Sequence, residues 1–209
     1  NENWQVLEER LNGSANPYAQ YVWGARYIDA PVVRFQDSNT DGTIDDTLYY
    51  CEDANMNVTA VVDASGAVHE RYSYDAYGEV HIWASNWTTS RGSSSYDNQI
   101  LFGGYRYDPE SGLDHVRNRM YHPTLGRWGQ REPSGGAYAD GANLYCALAD
   151  APSAYLDPSG RSSIDWGGGM SAESWADPRL ACILKAMRKF RNATMLARTQ
   201  FYNLFDQWI

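Results

Sequence analysis

The stretch that decides the fold runs from Leu101 to Gly160 and contains turn phrases that are built alike. The first is GYRYDPESGL at residues 104–113, and RNRMYHPTLGRW follows at residues 117–128. REPSGG at 131–136 and DPSGR at 157–161 close the stretch, with NLY at 143–145 between them. Asp-Pro-x-Gly forms a turn because Asp bonds its own backbone, Pro fixes φ and Gly accepts φ > 0. Such turns between short aromatic runs predict an antiparallel β-meander.

These ordered phrases resemble the RHS repeat-associated core domain, which ends the repeat shell of YD-repeat proteins and polymorphic toxins. The resemblance covers residues 101–160 and implies a β-shell that encloses or presents a variable C-terminal effector segment. It also implies a secreted or cell-envelope location. The expected partners are the chain's own upstream repeats, its C-terminal segment and a cognate immunity protein.

Residues 1–100 carry a related pattern and are expected to form YD-repeat-like β-hairpins. Strand, Asp-x-x-Gly or Asp-x-x-Asn turn, and strand recur with a period of about twenty through residues 48–80, and Tyr74-Asp75-Ala76-Tyr77-Gly78 resembles the YD phrase. One hairpin cannot bury its inward face alone, so successive hairpins are expected to join into an extended sheet. Residues 84–100, rich in Ser, Thr, Asn and Gly, are predicted to be a surface loop.

Charge divides the chain into two parts. Residues 1–160 hold ten Arg, no Lys and twenty-two acidic residues, which gives a formal charge of −12, whereas residues 161–209 carry +3. An acidic body repels phosphate, so no nucleic acid is expected to bind through residues 1–160. The chain starts at Asn1 without a secretory leader, so we expect a C-terminal fragment of a longer protein.

The cysteines and the hydropathy pattern exclude several classes of protein. Cys51, Cys146 and Cys182 are far apart and form no Cys-x-x-Cys phrase, so neither a zinc site nor a redox motif is expected. His115 and His122 have no Ser or Cys nucleophile motif beside them, which argues against a catalytic triad. No apolar run is long enough for a transmembrane segment.

An acidic stretch at residues 37–46 has the spacing of an incomplete EF-hand loop. Its oxygen ligands would be Asp37, Asn39, Asp41, Thr43 and Asp45, with Gly42 at the sharp turn. Leu48 stands where a bidentate acid is needed. The alternatives are a weak, structural Ca²⁺ site and a solvated hairpin tip; no cofactor is otherwise required.

Two tryptophans lie near the start of the loop that precedes residues 101–160, which we call the core stretch. Trp83 and Trp87 can stack on sugars, which would make the protein an extracellular carbohydrate-binding or adhesion module with a cell-surface glycan as partner. Tryptophans of this kind more often cover a neighbouring sheet.

The C-terminal part changes character. Residues 161–176 are predicted to be a Ser/Gly-rich linker and residues 177–209 a basic amphipathic helical tail. Asp177 before Pro178 suits a helix start. The tail would be a short effector, a membrane-surface helix or a helix that docks on the acidic shell.

The RHS resemblance also implies a self-cleaving site of aspartic type, in which two carboxylates and an arginine act on the chain itself. By the family's motifs, Glu132 and Asp157 stand at the positions of the two aspartates, Arg131 matches the arginine, and the cut falls between Arg161 and Ser162. Glu132 for Asp, and Gly136 and Arg161 for the Leu that ends each motif, depart from the family pattern. An ion-paired turn framework without turnover is therefore the competing interpretation, and no turnover in trans is expected.

The sequence thus predicts a mainly β protein, an antiparallel hairpin meander with a C-terminal α-helical tail. Its expected function is that of a structural wall and plug of a shell.

Overall fold

The computed structural model describes residues 3–133 and 142–161, together with the backbone of a short strand at Ile164–Asp165. All of these residues belong to one unit, Asn1–Trp166. Apart from Arg161 and that strand, the predicted linker at 161–176 and helical tail at 177–209 lie outside the described residues, as does Ser162. Within the described ranges, no helix is long and apolar enough to cross a membrane.

The fold is mainly β, as predicted, and its largest part is an antiparallel sheet of eight strands. Each strand pairs with the next one along the chain, because the chain reverses direction at the end of every strand. The strands are β1 (Glu8–Glu9), β2 (Ala19–Trp23), β3 (Pro31–Gln36), β4 (Asp46–Glu52), β5 (Val58–Val62), β6 (Val68–Tyr74), β7 (Val80–Ala84) and β8 (Ser90–Arg91).

A second antiparallel sheet is built from the core stretch. Its strands are β9 (Arg106–Asp108), β10 (Leu113–Val116), β11 (Arg119–His122) and β12 (Arg127–Trp128), and they lie in the order β12-β11-β10-β9. A separate antiparallel pair follows, β13 (Tyr155–Leu156) with β14 (Ile164–Asp165). Short 3-10 turns at Phe102–Gly104 and Leu148–Asp150 precede β9 and β13.

The YD phrase forms the turn between β6 and β7. The Asp75 amide donates to the Glu79 carbonyl at 3.0 Å, and the Gly78 amide donates to the Asp75 carbonyl at 2.9 Å. Gly78 has φ +93°, and a Cβ at this position would overlap the Phe102 ring. Glycine is therefore needed here both for the backbone conformation and because the core stretch packs directly against the turn.

Two main hydrophobic clusters hold the sheets. The first lies on one face of the eight-stranded sheet and includes Leu48, Val61 and Tyr72. The second joins Phe102 to the inward face of the four-stranded sheet, where Tyr121 stacks on Phe102 with ring centroids 6.1 Å apart and meets Trp128 edge-on at 5.4 Å. Buried aromatic side chains of this kind contribute a large share of the packing free energy of a core.

The prediction of a surface loop over residues 84–100 is wrong in part. The loop contains β8, and its second half turns inward toward Glu70, whose side chain is fully buried. The Glu70 carboxylate accepts hydrogen bonds from the Ser94 hydroxyl at 2.5 Å and from the Ser95 amide at 3.0 Å, and it pairs with Arg91 at 2.5 Å. A buried carboxylate needs such partners, so the polar loop residues fold over it.

Arg34 anchors the same loop from β3. Its buried guanidinium donates to the carbonyl oxygens of Tyr96 at 2.7 Å and Asp97 at 2.8 Å. Asn98 and Ile100 are buried as a result, with 4% and 3% of their surface exposed. The polar composition of the loop thus serves buried hydrogen bonds.

Candidate functional site

The site begins at the turn between β10 and β11, where Arg117 and Asn118 connect the two strands. Arg117 has φ +37°, a strained conformation for a residue with a side chain. Its guanidinium forms a two-pronged ion pair with the carboxylate of Asp29, at 2.5 and 2.8 Å. Burial raises the pKa of Asp29, while the hydrogen bonds and charge of Arg117 act in the opposite direction. This ion pair joins the loop between β2 and β3 to the second sheet.

Three consecutive side chains, two from this turn and one from the start of β11, hold three consecutive carbonyls of the Asp157-Pro158-Ser159-Gly160 turn. Arg117 donates to the carbonyl of Pro158, and the Asn118 amide donates to that of Ser159 at 2.8 Å. The Arg119 Nε donates to the carbonyl of Gly160 at 2.5 Å. We call this arrangement the carbonyl clamp, and it consists of Arg117, Asn118 and Arg119.

Gly160 is required for the clamp to close. Its φ is +64°, and a Cβ here would lie 2.5 Å from the carbonyl oxygen of Val116. A side chain would therefore push the turn away from β10 as well as strain its backbone.

Arg119 also joins the two carboxylates singled out in the sequence. Its Nη2 lies 2.9 Å from Glu132 Oε2 and 3.2 Å from Asp157 Oδ2. The three side chains are almost fully buried, with 1%, 8% and 0% of their surface exposed. Because both carboxylate oxygens contact the same nitrogen, they cannot be farther apart than the sum of these two distances. One guanidinium thus contacts two acids away from water, and removing it would leave buried charge uncompensated.

Asp157 is fixed on every side by hydrogen bonds. Its Oδ1 accepts from the Ser159 hydroxyl at 2.9 Å and from the Arg161 amide at 3.1 Å. Its own amide donates to the hydroxyl of Tyr105 at 3.0 Å. Burial raises the pKa of Tyr105 well above the usual tyrosine value, and the charge of Asp157 adds to the shift, so the phenol stays neutral. The carboxylate is held in one orientation.

The Trp128 ring packs against the guanidinium of Arg119. The Arg119 guanidinium carbon lies 4.1 Å from the centroid of the Trp128 ring, which is fully buried. A cation over an indole face gains electrostatic energy that is largest where water is excluded. This stacking positions Arg119 between the carbonyl of Gly160 and the two acids.

The structure brings Glu132 and Asp157 together, and the arginine between them is Arg119. Arg131 is exposed. Arg131 adjoins Glu132 in the motif, whereas Arg119 is distant in sequence and reaches the acids from β11. The signal that could have identified it is the Arg-x-Arg phrase at 117–119, because residues i and i+2 of a strand lie on the same face.

Arg161 marks the end of the described site. Its side chain is exposed and donates to Asn118 Oδ1 at 3.0 Å, while its amide is bonded to both Asp157 Oδ1 and the Ser159 hydroxyl. The cleavage expected between Arg161 and Ser162 stays a prediction.

The side-chain oxygens of the acidic loop at residues 37–46 accept hydrogen bonds from groups of the same loop. Asp37 accepts from the amides of Asp41 at 3.1 Å and Gly42 at 2.7 Å. Asp45 accepts from the amide and hydroxyl of Ser38 at 2.8 and 2.6 Å, and these bonds lower its pKa. The remaining predicted ligands continue the pattern: Asn39 Oδ1 accepts from Asp41, and Asp41 Oδ1 accepts from Thr43.

Across residues 3–133 and 142–161, no group of three acidic, histidine or cysteine side chains is arranged to hold a metal ion. Oxygens that accept hydrogen bonds from the loop amides would have to exchange those bonds for a cation. Calcium binding at residues 37–46 stays a prediction.

The two tryptophans proposed for glycan binding lie together at the β7–β8 turn. Their ring centroids are 6.4 Å apart, and Trp83 Nε1 donates to the Ser73 hydroxyl at 2.9 Å. Trp87 is 48% exposed, and the guanidinium of Arg71 lies 5.3 Å from its ring. Trp83 covers the sheet and Trp87 leaves a ring accessible, so the glycan role stays a prediction.

No protein-family model matches the chain. The chain is 31% identical over 114 residues to the tRNA3(Ser)-specific nuclease WapA of Bacillus spizizenii, covering 54% of this chain and 5% of that protein. It is 30% identical over 118 residues to the putative uncharacterized protein YibJ of Escherichia coli strain K12, covering 56% of this chain and 46% of that protein. A crystal structure of TcdB2-TccC3-Cdc42 aligns with a TM-score of 0.55 and 26% identity, over 68% of this chain and 6% of that one.

These similarities show an RHS-like relationship, since TccC3 is an RHS-repeat protein and WapA is an RHS-type nuclease. The chain spans less than half the length of each of these relatives, and only about a twentieth of WapA.

Proposed function

We propose that this chain is a wall segment of an RHS-type shell that encloses or presents the C-terminal segment following it. The observation that carries the proposal is the eight-stranded antiparallel sheet, whose strands neighbour one another in sequence order. A sheet of this kind extends by adding a hairpin at its edge, and each hairpin buries its inward face against the next. The RHS-like relationship supports the same function.

The edges of the large sheet fit this function. β1 and β8 are each two residues long, and short edge strands limit uncontrolled pairing with other chains. Upstream repeats of the same chain would have to extend the pairing beyond the two residues of β1 to continue the wall.

The carbonyl clamp supports the second part of the proposal, the presentation of the C-terminal segment. It fixes the backbone of residues 157–160 against β10 and β11, immediately before the C-terminal segment begins. Because the carbonyls of residues 158–160 are held, the chain would leave the wall at one defined point.

Limited proteolysis tests the proposal on a chain that carries this segment together with preceding repeats. If the wall encloses the C-terminal segment, residues 167–209 survive native protease treatment much longer than the same residues made as an isolated peptide. Equal rates of degradation would contradict enclosure. The fragments are identified by mass spectrometry.

A glycine pair provides the matched variants for this experiment. A Cβ at Gly104 would overlap the carbonyl of Asp29, and its φ is +71°, so Gly104→Ala should loosen the junction of the sheets and shorten the survival of the segment. A Cβ at Gly92 meets nothing within 4 Å, so Gly92→Ala should behave as the wild type does.

Intramolecular self-cleavage is the second candidate function, and the buried contact of Arg119 with Glu132 and Asp157 favours it. Two close acids can divide the work of peptide hydrolysis, because one activates water while the other supplies a proton. Intact mass after prolonged incubation tests it: two fragments that together equal the chain plus one water support cleavage. An unchanged full-length mass would leave the three side chains as a structural framework.

The proposed shell implies a secreted or cell-envelope protein whose C-terminal segment would bind a cognate immunity protein. A surface glycan would instead bind at Trp87, whose ring is accessible. Binding assays with each partner test these assignments separately.

A further inference from the structure

A cavity of about 370 Å³ opens between residues 4–6, the loop before β3 and the start of the second sheet. The ion-paired Asp29 and Arg117 lie in its wall, and residues 104–106 continue it. Pockets of this size accept small organic ligands. The proposed shell wall makes no use of this cavity.

One side of the cavity is formed by residues 3–7, which are held in place although they belong to no strand. Trp23 Nε1 donates to the Val6 carbonyl at 2.7 Å, and Arg117 Nε donates to the Asn3 carbonyl at 3.2 Å. Because this side is fixed by the fold, a ligand would not have to order it on binding.

Trp4 lines the cavity and is nevertheless exposed. Its φ is +60°, an unfavourable conformation for a bulky residue, and 70% of its surface is accessible. Arg117, in the same lining, has φ +37°. Strained residues concentrate at binding sites, where the geometry serves a ligand and not the fold alone. Trp4 thus offers an accessible indole ring to a ligand in the cavity.

The lining combines aromatic surface with polar side chains. Trp4, Trp23 and Tyr105 supply the aromatic surface, and Gln5 and Arg106 are among the polar groups. A ligand that fits both needs an apolar face and polar groups around its edge. A sugar ring has this form, because its C–H groups make an apolar face and its hydroxyls lie around the rim.

The charges in the lining favour an acidic ligand. Arg117 and Asp29 neutralise each other in their ion pair, which leaves Arg106 and His115, direct neighbours across β9 and β10. Arg106 pairs with Glu9 at 2.7 Å, but a guanidinium has five N–H donors. His115 is exposed and has no hydrogen-bond partner among the described residues. A carboxylate would find charge-assisted donors at this edge of the cavity.

We propose that the cavity binds a sugar acid, such as a uronic acid residue of a polysaccharide. The sugar ring lies against Trp4, and its carboxylate lies beside Arg106 and His115. This binding function is additional to the shell wall and does not depend on it. The site is also distinct from the exposed ring of Trp87.

Calorimetric titration of the purified chain with three small probes tests the ligand class. Glucuronate is expected to bind more tightly than glucose, which lacks the carboxylate, and than phenylacetate, which lacks the hydroxyls. Equal affinity for glucose would overturn the role of the carboxylate, and tighter binding of phenylacetate would overturn the sugar. No binding of any probe at millimolar concentration would overturn the site, while the protease test of the wall would stand unaffected.

Two exposed tryptophans provide matched variants for locating the site. Trp4→Ala should weaken glucuronate binding about tenfold, because the ring that packs on the sugar is lost. Trp87→Ala removes a tryptophan that is 48% exposed at the β7–β8 turn, and it should bind as the wild type does. Loss of binding in Trp87→Ala alone would overturn the assignment to the cavity.

His115→Gln is a second, exposed variant that tests the carboxylate contact. It should lower the affinity for glucuronate several-fold and leave that for glucose unchanged, because only the charged donor is lost. A wild-type affinity for glucuronate in this variant would contradict the placement of the carboxylate.

Discussion

Asp114 is a buried carboxyl on β10 that faces the interior of the protein. It is 1% exposed, and its cross-strand neighbours are Tyr107 on β9 and Tyr121 on β11. Its Oδ2 has no hydrogen-bond partner among the described residues. Burial raises the pKa of Asp114 to about 8. This side chain is therefore neutral in the native protein under conditions in which the unfolded chain carries its charge.

The titration of Asp114 predicts how stability depends on pH. Between the ordinary aspartate pKa and about 8, the native state holds a proton that the unfolded state has lost, so stability falls as pH rises. The loss is at most about 1.4 kcal/mol per pH unit. Asp114→Asn removes the titration, so the stability difference between pH 5 and pH 9, measured by urea denaturation, should shrink.

The control for this measurement is Asp150→Asn, an exposed change. Burial also raises the pKa of Glu52 to about 7, so a smaller decline with pH should remain in the Asp114 variant. Parallel pH curves for the wild type and Asp114→Asn would contradict the burial of a neutral carboxyl at this position.

At the scale of the secondary-structure element, several hairpin turns share one feature. The side chain of the first Asp accepts hydrogen bonds from the backbone amides that follow it. Asp63, between β5 and β6, accepts from the amides of Ser65 at 2.8 Å and Ala67 at 3.0 Å. The hydroxyl of Ser65 and these amides lower the pKa of Asp63. Because the folded-state pKa is depressed, this stabilisation is present above the ordinary aspartate pKa and is lost as pH falls below it.

Removal of this cap should loosen one hairpin selectively. Asp63→Ala is expected to speed amide hydrogen exchange in β5 and β6 while leaving β10 and β11 unchanged, because the cap orders only its own turn. Glu110→Ala removes an exposed charge from the equivalent turn after Asp108 and serves as the control. Uniform acceleration across both sheets would show that the turn is coupled to the global fold instead.

Local signals of this kind explain what the sequence could predict. The hairpin turns and strand order follow from residues that act on their neighbours, such as Asp75 and Gly78, so the meander was predictable. The inward course of residues 94–100 depends on Glu70 and Arg34, which are distant in sequence, and its polar composition indicated a surface loop. Likewise, the acids of the site were found from their turns, whereas Arg119 reaches them only through the fold.

At the scale of the whole molecule, Arg117 links three parts of the protein. It pairs with Asp29 in the loop between β2 and β3, belongs to the turn between β10 and β11, and holds the carbonyl of Pro158 in the last described turn. The Tyr27 hydroxyl donates to the Gly103 carbonyl at 3.3 Å beside it. The large sheet, the second sheet and the turn at residues 157–160 are thereby held in one arrangement, as the proposed shell wall requires.

Electron cryo-microscopy of a chain that carries this segment with its preceding repeats tests the proposed wall most directly. We expect strands β1 to β8 to continue the sheet of those repeats in sequence order, with residues 157–160 clamped at the inner surface and density for the C-terminal segment inside. A separate domain outside the repeat sheet, or a C-terminal segment that lies wholly in solvent, would contradict the account.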